Sequence, residues 1–148
     1  MSSIIAIAPH EQIEIRASSA ELLALDARWT EAGKLPPAHY HPRQDERFEV
    51  LEGALRVVLD GRERRVGAGE SFGVPRGTVH AMAAAEGGCR ATWEIRPALR
   101  TEAFFRAMEA ADGNRLKQLA VVSRHAEEFR LAGSVGVLAR ALGKLRRA

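Results

Sequence analysis

From its start to about Pro97 the chain consists of short β-prone runs cut by Gly, Pro and Asp, and this punctuation confines it to an antiparallel arrangement. Leu23, Leu25, Ala27 and Trp29 alternate with polar or smaller residues, the period of a half-buried strand. The runs FEVLE, ALRVVL, RERRV, SFGV, HAMAA and CRATWEI follow as further strand candidates, and Asp60-Gly61 is a two-residue hairpin signal between Leu59 and Arg62. No βαβ alternation interrupts them. The expectation is an all-β domain over residues 1–97, either a sandwich or a barrel.

From Ala98 onward the apolar period becomes helical, and residues 98–148 read as a helical extension. Phe104, Phe105, Met108 and Ala111 recur after Thr101, a candidate N-cap, and Gly113 is placed to end that helix. A second helix is expected over Arg115 to Leu131, with Leu116, Leu119, Val122, Ala126 and Phe129 on one stripe and Gly133 as its breaker. In the last run, from Ser134 to Ala148, Val137, Leu138, Ala141, Leu142 and Leu145 share one face and basic residues the other. Stripes this long need cover, so the helices are expected to pack on the β domain or on a second subunit. The last run also has the pattern of a basic membrane-surface helix, the weaker reading.

Composition narrows the function classes. The 148 residues, 46% of them hydrophobic, suit one globular domain plus an appendage. The net charge of +3 is modest and the arginines are dispersed, so no nucleic-acid partner is expected. The single cysteine, Cys89, precludes an internal disulfide and reads as a small strand residue after a Gly87-Gly88 turn. MSSIIAIAPHEQIEI lacks the basic start and long apolar run of a signal peptide, and no later segment approaches a membrane span. A cytoplasmic protein without membrane association is therefore expected.

The chemistry is concentrated in HYHPRQDERFEVLEG, which begins at His39. Residues i and i+2 of a strand face the same way, so His39 and His41 present two imidazoles side by side, half of a transition-metal site. Glu46 enters the next strand on the face of Phe48 and Val50. The candidate for a fourth ligand is His80, which follows the Pro75–Gly77 turn. His10 and His125 read as surface residues, and Asp45 is the rival carboxylate beside Glu46.

These residues resemble the two motifs of the cupin superfamily. Gly33, five residues, His39-Tyr40-His41, four residues, Glu46, six residues and Gly53 match the first. Gly69, five residues, Pro75-Arg76-Gly77, two residues and His80 match the second, after only the fifteen residues Ala54 to Ala68. The second motif usually ends in asparagine, and Ala84 stands there instead, which bears on local hydrogen bonding rather than on the ligands.

The resemblance implies a cupin-type antiparallel β-barrel (jelly roll) for the β domain, beside the C-terminal helical extension read above, and a homodimer, since small cupins commonly pair through their sheets. It further implies one divalent transition metal, iron foremost, with manganese, nickel, copper or zinc as alternatives, held by His39, His41, Glu46 and His80. Three neutral imidazoles and one carboxylate leave a divalent ion with a charge near +1, which favours an anionic or enolate-like small molecule. Phe48, Val50 and Met82 share faces with the ligands; together with Phe72 and Trp93 they are the expected substrate pocket. Arg56, Arg76 and Glu94 are candidate polar contacts, or simply solvated faces. Dioxygenase-type oxidoreductase chemistry on a small oxygenated or enolisable molecule is the first functional expectation. Non-redox isomerase, cyclase or lyase chemistry and non-catalytic ligand binding remain open beside it.

Overall fold

The computed structural model describes residues 2–133. Nine antiparallel strands form one curled sheet: β1 (Ile4–Ala8), β2 (Glu11–Ser18), β3 (Leu23–Trp29), β4 (His39–Tyr40), β5 (Asp45–Leu59), β6 (Arg62–Gly67), β7 (Ser71–Val74), β8 (His80–Arg96) and β9 (Arg130–Leu131). Two helices, α1 (Thr101–Ala111) and α2 (Arg115–Arg124), lie between β8 and β9. The all-β barrel with a short helical extension is the fold expected from the sequence. Asp60-Gly61 makes the β5–β6 hairpin, with both residues at positive φ.

The long strands β5 and β8 form the spine. One edge of β5 pairs with β8 along most of its length, and the other takes β7 opposite Glu46–Glu49 and β6 opposite Ala54–Leu59. FEVLE and ALRVVL are thus one strand, as are HAMAA and CRATWEI. What joins each pair is a bend. Where β5 advances two residues from Gly53 to Leu55, β8 advances five, from Cys89 to Ala84. Gly53, Gly87 and Gly88 all have positive φ there. Gly87-Gly88 is therefore a bulge inside a strand rather than a turn between two, because the ladder resumes on both sides. Glycine is required at this crossing: a Cβ on Gly53 would lie 2.2 Å from the Gly88 carbonyl oxygen, and one on Gly88 would lie 2.4 Å from that of Trp29.

The apolar faces of the sheet enclose a core that includes Ile5, Ile13, Leu23, Leu25, Phe48, Val50, Leu55 and Val57. Phe104 and Phe105 of α1 and Val121 and Val122 of α2 belong to the same cluster, so the two helices cover the barrel. α1 ends at Ala111, with Asp112 and Gly113 left-handed, close to where Gly113 was placed by the sequence. Its cap differs from expectation. Arg100 occupies the cap position without a side-chain hydrogen bond, and Thr101 is instead the first helical residue, buried, with its Oγ1 accepting from Gln44 Nε2 at 2.7 Å.

The second helix is shorter than its apolar period suggested. α2 begins after Asn114, whose side chain accepts from the Lys117 amide, but it stops at Arg124 rather than Leu131. Leu116, assigned to the covered stripe, is 79% exposed. After the helix the chain turns through His125–Glu128, and Arg130–Leu131 pairs with His39–Tyr40 as β9. The open edge of β4 takes this segment, and backbone pairing with a distant strand outweighs a continued helical period. The expected helix over Ser134 to Ala148 lies outside the described residues. Among the described residues, no helix is long and apolar enough to cross a membrane.

Candidate metal centre

Glu46 stands near the start of β5 and His80 at the start of β8, paired with opposite ends of the same ladder: Glu46 with Ile95, and His80 with Leu59. Thirteen steps of straight strand from Glu46 to Leu59 would span about 43 Å. Yet Glu46 Oε1 lies 3.1 Å from His80 Nε2, because the bent sheet curls until its far ends meet. Glu46 Oε1 is also 2.9 Å from His41 Nε2. His39 pairs directly with His80 across β4 and β8. The ligating nitrogens of His39, His41 and His80 all lie within 4.8 Å of one another, so the three imidazoles are placed to hold one ion.

Each ring is oriented by the backbone. His80 Nδ1 lies 2.8 Å from the Thr78 carbonyl and His41 Nδ1 lies 2.7 Å from the Glu128 carbonyl. A carbonyl only accepts, so both Nδ1 atoms carry protons and the Nε2 atoms face inward, the tautomer that metal-binding histidines need. The His39 ring donates to the Pro37 backbone. Glu46 is fixed by the Trp93 indole, whose Nε1 donates to Oε2 at 2.7 Å.

The remaining atoms test the fit to a cation. Glu46 Oε1 and His41 Nε2 are close, but their angles do not make a hydrogen bond, and both atoms are buried without a partner. An unsatisfied carboxylate oxygen and an unsatisfied imidazole nitrogen aimed at shared space are a mixed N/O donor set suited to a divalent transition ion.

Electrostatics agree with that use. Burial, then repulsion from the His80 and His41 rings, pushes His39 down to about 3, so its imidazole is neutral near pH 7. Burial acts to raise the Glu46 carboxyl, but His41 and His80 outweigh it and hold it well below the usual range. Burial likewise disfavours a charged His41, yet the Glu46 carboxylate prevails and raises its proton affinity. What Glu46 does for a proton on His41 it would also do for a metal ion.

The five expected pocket residues fall in two places. Phe48 is stacked on Phe72 and Trp93, with ring centroids 4.9 and 5.1 Å away, and this aromatic stack reaches the centre through the Trp93–Glu46 bond. Val50 is fully buried opposite Ala91, and Met82 is partly buried opposite Val57; both extend the inward faces of Glu46 and His80 away from the centre. Arg56, Arg76 and Glu94 pair with Glu63, Asp45 and Arg96 at the surface, the solvated reading of all three. Asp45 is thereby removed as a rival to Glu46. Arg76 binds it through its backbone amide as well as its guanidinium, at 2.9 and 3.0 Å. Ala84 is buried, and its carbonyl accepts a 3.4 Å bond from the Gly33 amide, joining the ends of the two motifs. Burial raises the Cys89 thiol to about 11, in keeping with a structural strand residue.

Two histidines outside the motifs divide. His10 is exposed beside Glu31, as expected. His125 is buried, contrary to its surface reading, because the turn after α2 folds it inward against Phe104, with a ring separation of 5.5 Å.

Sequence reasoning missed the segment after α2. Phe129 stacks on His39 at 4.5 Å, with an interplanar angle of 23°, and on Phe104 at 5.0 Å. Gln44 was missed too; fully buried, its Nε2 donates to the carbonyls of Pro97 and Ala98 as well as to Thr101. A lone glutamine between two motif positions carries no signal of this in sequence.

A family model described as "Cupin domain" matches residues 30–93, the stretch that contains all four candidate ligands. The chain carries a cupin domain over that stretch. Among solved structures it is similar to KdgF from Halomonas sp., with 27% identity and a TM-score of 0.62 over 67% of this chain and 89% of that one. An RmlC-like cupin from Shewanella frigidimarina matches at 24% identity and a TM-score of 0.61, over 69% of this chain and 89% of that one. A cupin-superfamily sugar phosphate isomerase from Silicibacter pomeroyi shares the fold at 22% identity and a TM-score of 0.55, over 62% of each chain. No curated protein matches.

Proposed function

We propose that this cupin is a metal-dependent enzyme of the dioxygenase type, acting on a small oxygenated or enolisable molecule, with one divalent ion held by His39, His41, Glu46 and His80. The observation that carries the metal is the convergence of buried, unpartnered donors, His41 Nε2 and Glu46 Oε1, with His80 Nε2 at 3.1 Å and His39 beside them. A bound iron ion would supply dioxygen chemistry there, whereas zinc would supply Lewis-acid chemistry alone.

The protein's own groups define the rest. Three imidazoles and one carboxylate leave a charge near +1 on the ion, so an anionic oxygen on the substrate is attracted and neutralised. Glu46 and His80 side chains are each 1% exposed, against 11% for His41, so a small molecule would approach from the side of His41. The aromatic stack behind Glu46 keeps water from the opposite side. A homodimer and a cytoplasmic setting remain part of this proposal.

The test is turnover of a panel of small hydroxy-carbonyl and enolisable compounds by the iron, manganese, nickel, copper and zinc forms, in air and under strict anaerobiosis. Oxygen-dependent turnover greatest with a redox-active metal is expected. Equal rates without oxygen, highest with zinc, would replace the dioxygenase reading with isomerase, cyclase or lyase chemistry.

A further inference from the structure

Two of the four candidate ligands are gripped by a segment that lies outside both motifs. His39 and His41 sit on the two-residue strand β4 and the turn that follows it, which have little ladder of their own. The chain returns to them from α2. β9 pairs with β4 in the register His39–Leu131 and Tyr40–Arg130, and the Ala132 amide bonds the Ala38 carbonyl at 2.9 Å. Within this strap, Phe129 lies flat against the His39 ring and edge-on to His41, at centroid separations of 4.5 and 5.9 Å. Its other contact is with Phe104 of α1, at 5.0 Å and 25° from parallel. Phe129 is thus held between α1 and the His39 imidazole. The neighbouring Glu128 carbonyl holds His41 Nδ1 at 2.7 Å.

We propose that Phe129 is a positioning residue of the metal centre: its ring, with the Glu128 carbonyl beside it, fixes His39 and His41 in the orientations that bind metal. This rests on the metal reading above and extends it to the C-terminal strap. A ligand on a two-residue strand is free to swing unless its ring plane is restrained, and the flat face of Phe129 supplies that restraint without competing for the ion. Groups that orient metal ligands typically change affinity by about 10–100-fold when removed.

The test titrates apo-protein with Co(II), following both affinity and the visible spectrum of the bound ion. The wild type is compared with Phe129→Ala, with Phe129→Leu, which keeps bulk but loses the flat ring, and with Phe129→Tyr, which keeps the ring. Leu119→Ala, a substitution in the same helical extension, serves as the stability control. The expected result is at least about tenfold weaker Co(II) binding and an altered spectrum for the Ala and Leu variants. The Tyr variant and Leu119→Ala should stay near wild type. Wild-type affinity and spectrum in folded Phe129→Leu would overturn the positioning role, as would a Tyr variant as weak as Ala. Failure of the wild type itself to bind Co(II) would instead overturn the metal reading on which this rests.

Discussion

The two halves of the candidate centre are held by different means. Glu46 and His80 belong to the longest strands, β5 and β8, and meet because one bent ladder curls on itself; both side chains are sealed from solvent. His39 and His41 belong to a two-residue strand and a turn, and depend on a strap that returns some ninety residues later. The first half is fixed by continuous sheet, so its geometry comes with the fold. The second half is fixed by a stack and a few backbone bonds, so its geometry can be lost while the barrel stands.

Truncating Phe104 should have the largest effect, since this buried ring joins α1 to Phe129 and to the core. Phe104→Ala is expected to cost about 3–5 kcal/mol in denaturant unfolding. Hydrogen exchange would sharpen the contrast: the β4–β9 amides should lose protection well before those of β5–β8. Equal loss in both would mean that the strap and the ladder open as one unit.

The ladder-held half is challenged at its bend. Gly88→Ala combines left-handed backbone with a Cβ driven against the Trp29 carbonyl, an expected loss of about 2–5 kcal/mol. Gly87→Ala has the same sign of φ but open space around it, and should cost only about 1–2 kcal/mol. The difference between the two, measured by denaturant unfolding, isolates the close crossing of backbones.

These two halves were unequally legible in the sequence. Strand alternation and donor chemistry, with the motif resemblance, singled out His39, His41, Glu46 and His80 as a set, because residue type and spacing carry that information locally, and the structure brings the four side chains together. The bend was misread, since Gly87-Gly88 has the composition of a turn and only the partner strand makes it a bulge. The strap was misread for a related reason. Leu119, Val122, Ala126 and Phe129 continue a helical period past Arg124, and nothing local announces that the edge of β4, far back in the chain, will capture Arg130–Leu131. Phe48, Phe72 and Trp93 were recognisable as an apolar set, whereas the indole hydrogen bond to Glu46 required the register of β5 against β8.

Gln44 joins the two halves to the start of α1, and Gln44→Leu should cost about 1–3 kcal/mol, measured by denaturant unfolding, by leaving Thr101 Oγ1 and two carbonyls short of a donor. No measurable loss would show that water replaces the amide there.

A pH effect is expected at the base of the strap. Burial, then Arg100 and Arg124, lowers His125 from 6.5 to about 4. Between those values the unfolded chain binds a proton that the folded chain does not, so His125 makes stability fall as pH drops from about 6.5 to about 4. Glu128, 3.7 Å away and raised by burial, titrates in the opposite sense, so the comparison is between wild type and His125→Gln. The variant should lose less melting temperature over that window; an unchanged difference would place His125 outside the titration.

The most direct test of the centre itself is metal content after reconstitution of purified apo-protein, for the wild type and for His41→Ala. About one divalent ion per wild-type chain and a near-empty variant are expected from a four-donor site that loses a strap-held imidazole. A wild type that retains no metal, or a His41→Ala protein that retains a full complement, would contradict the account.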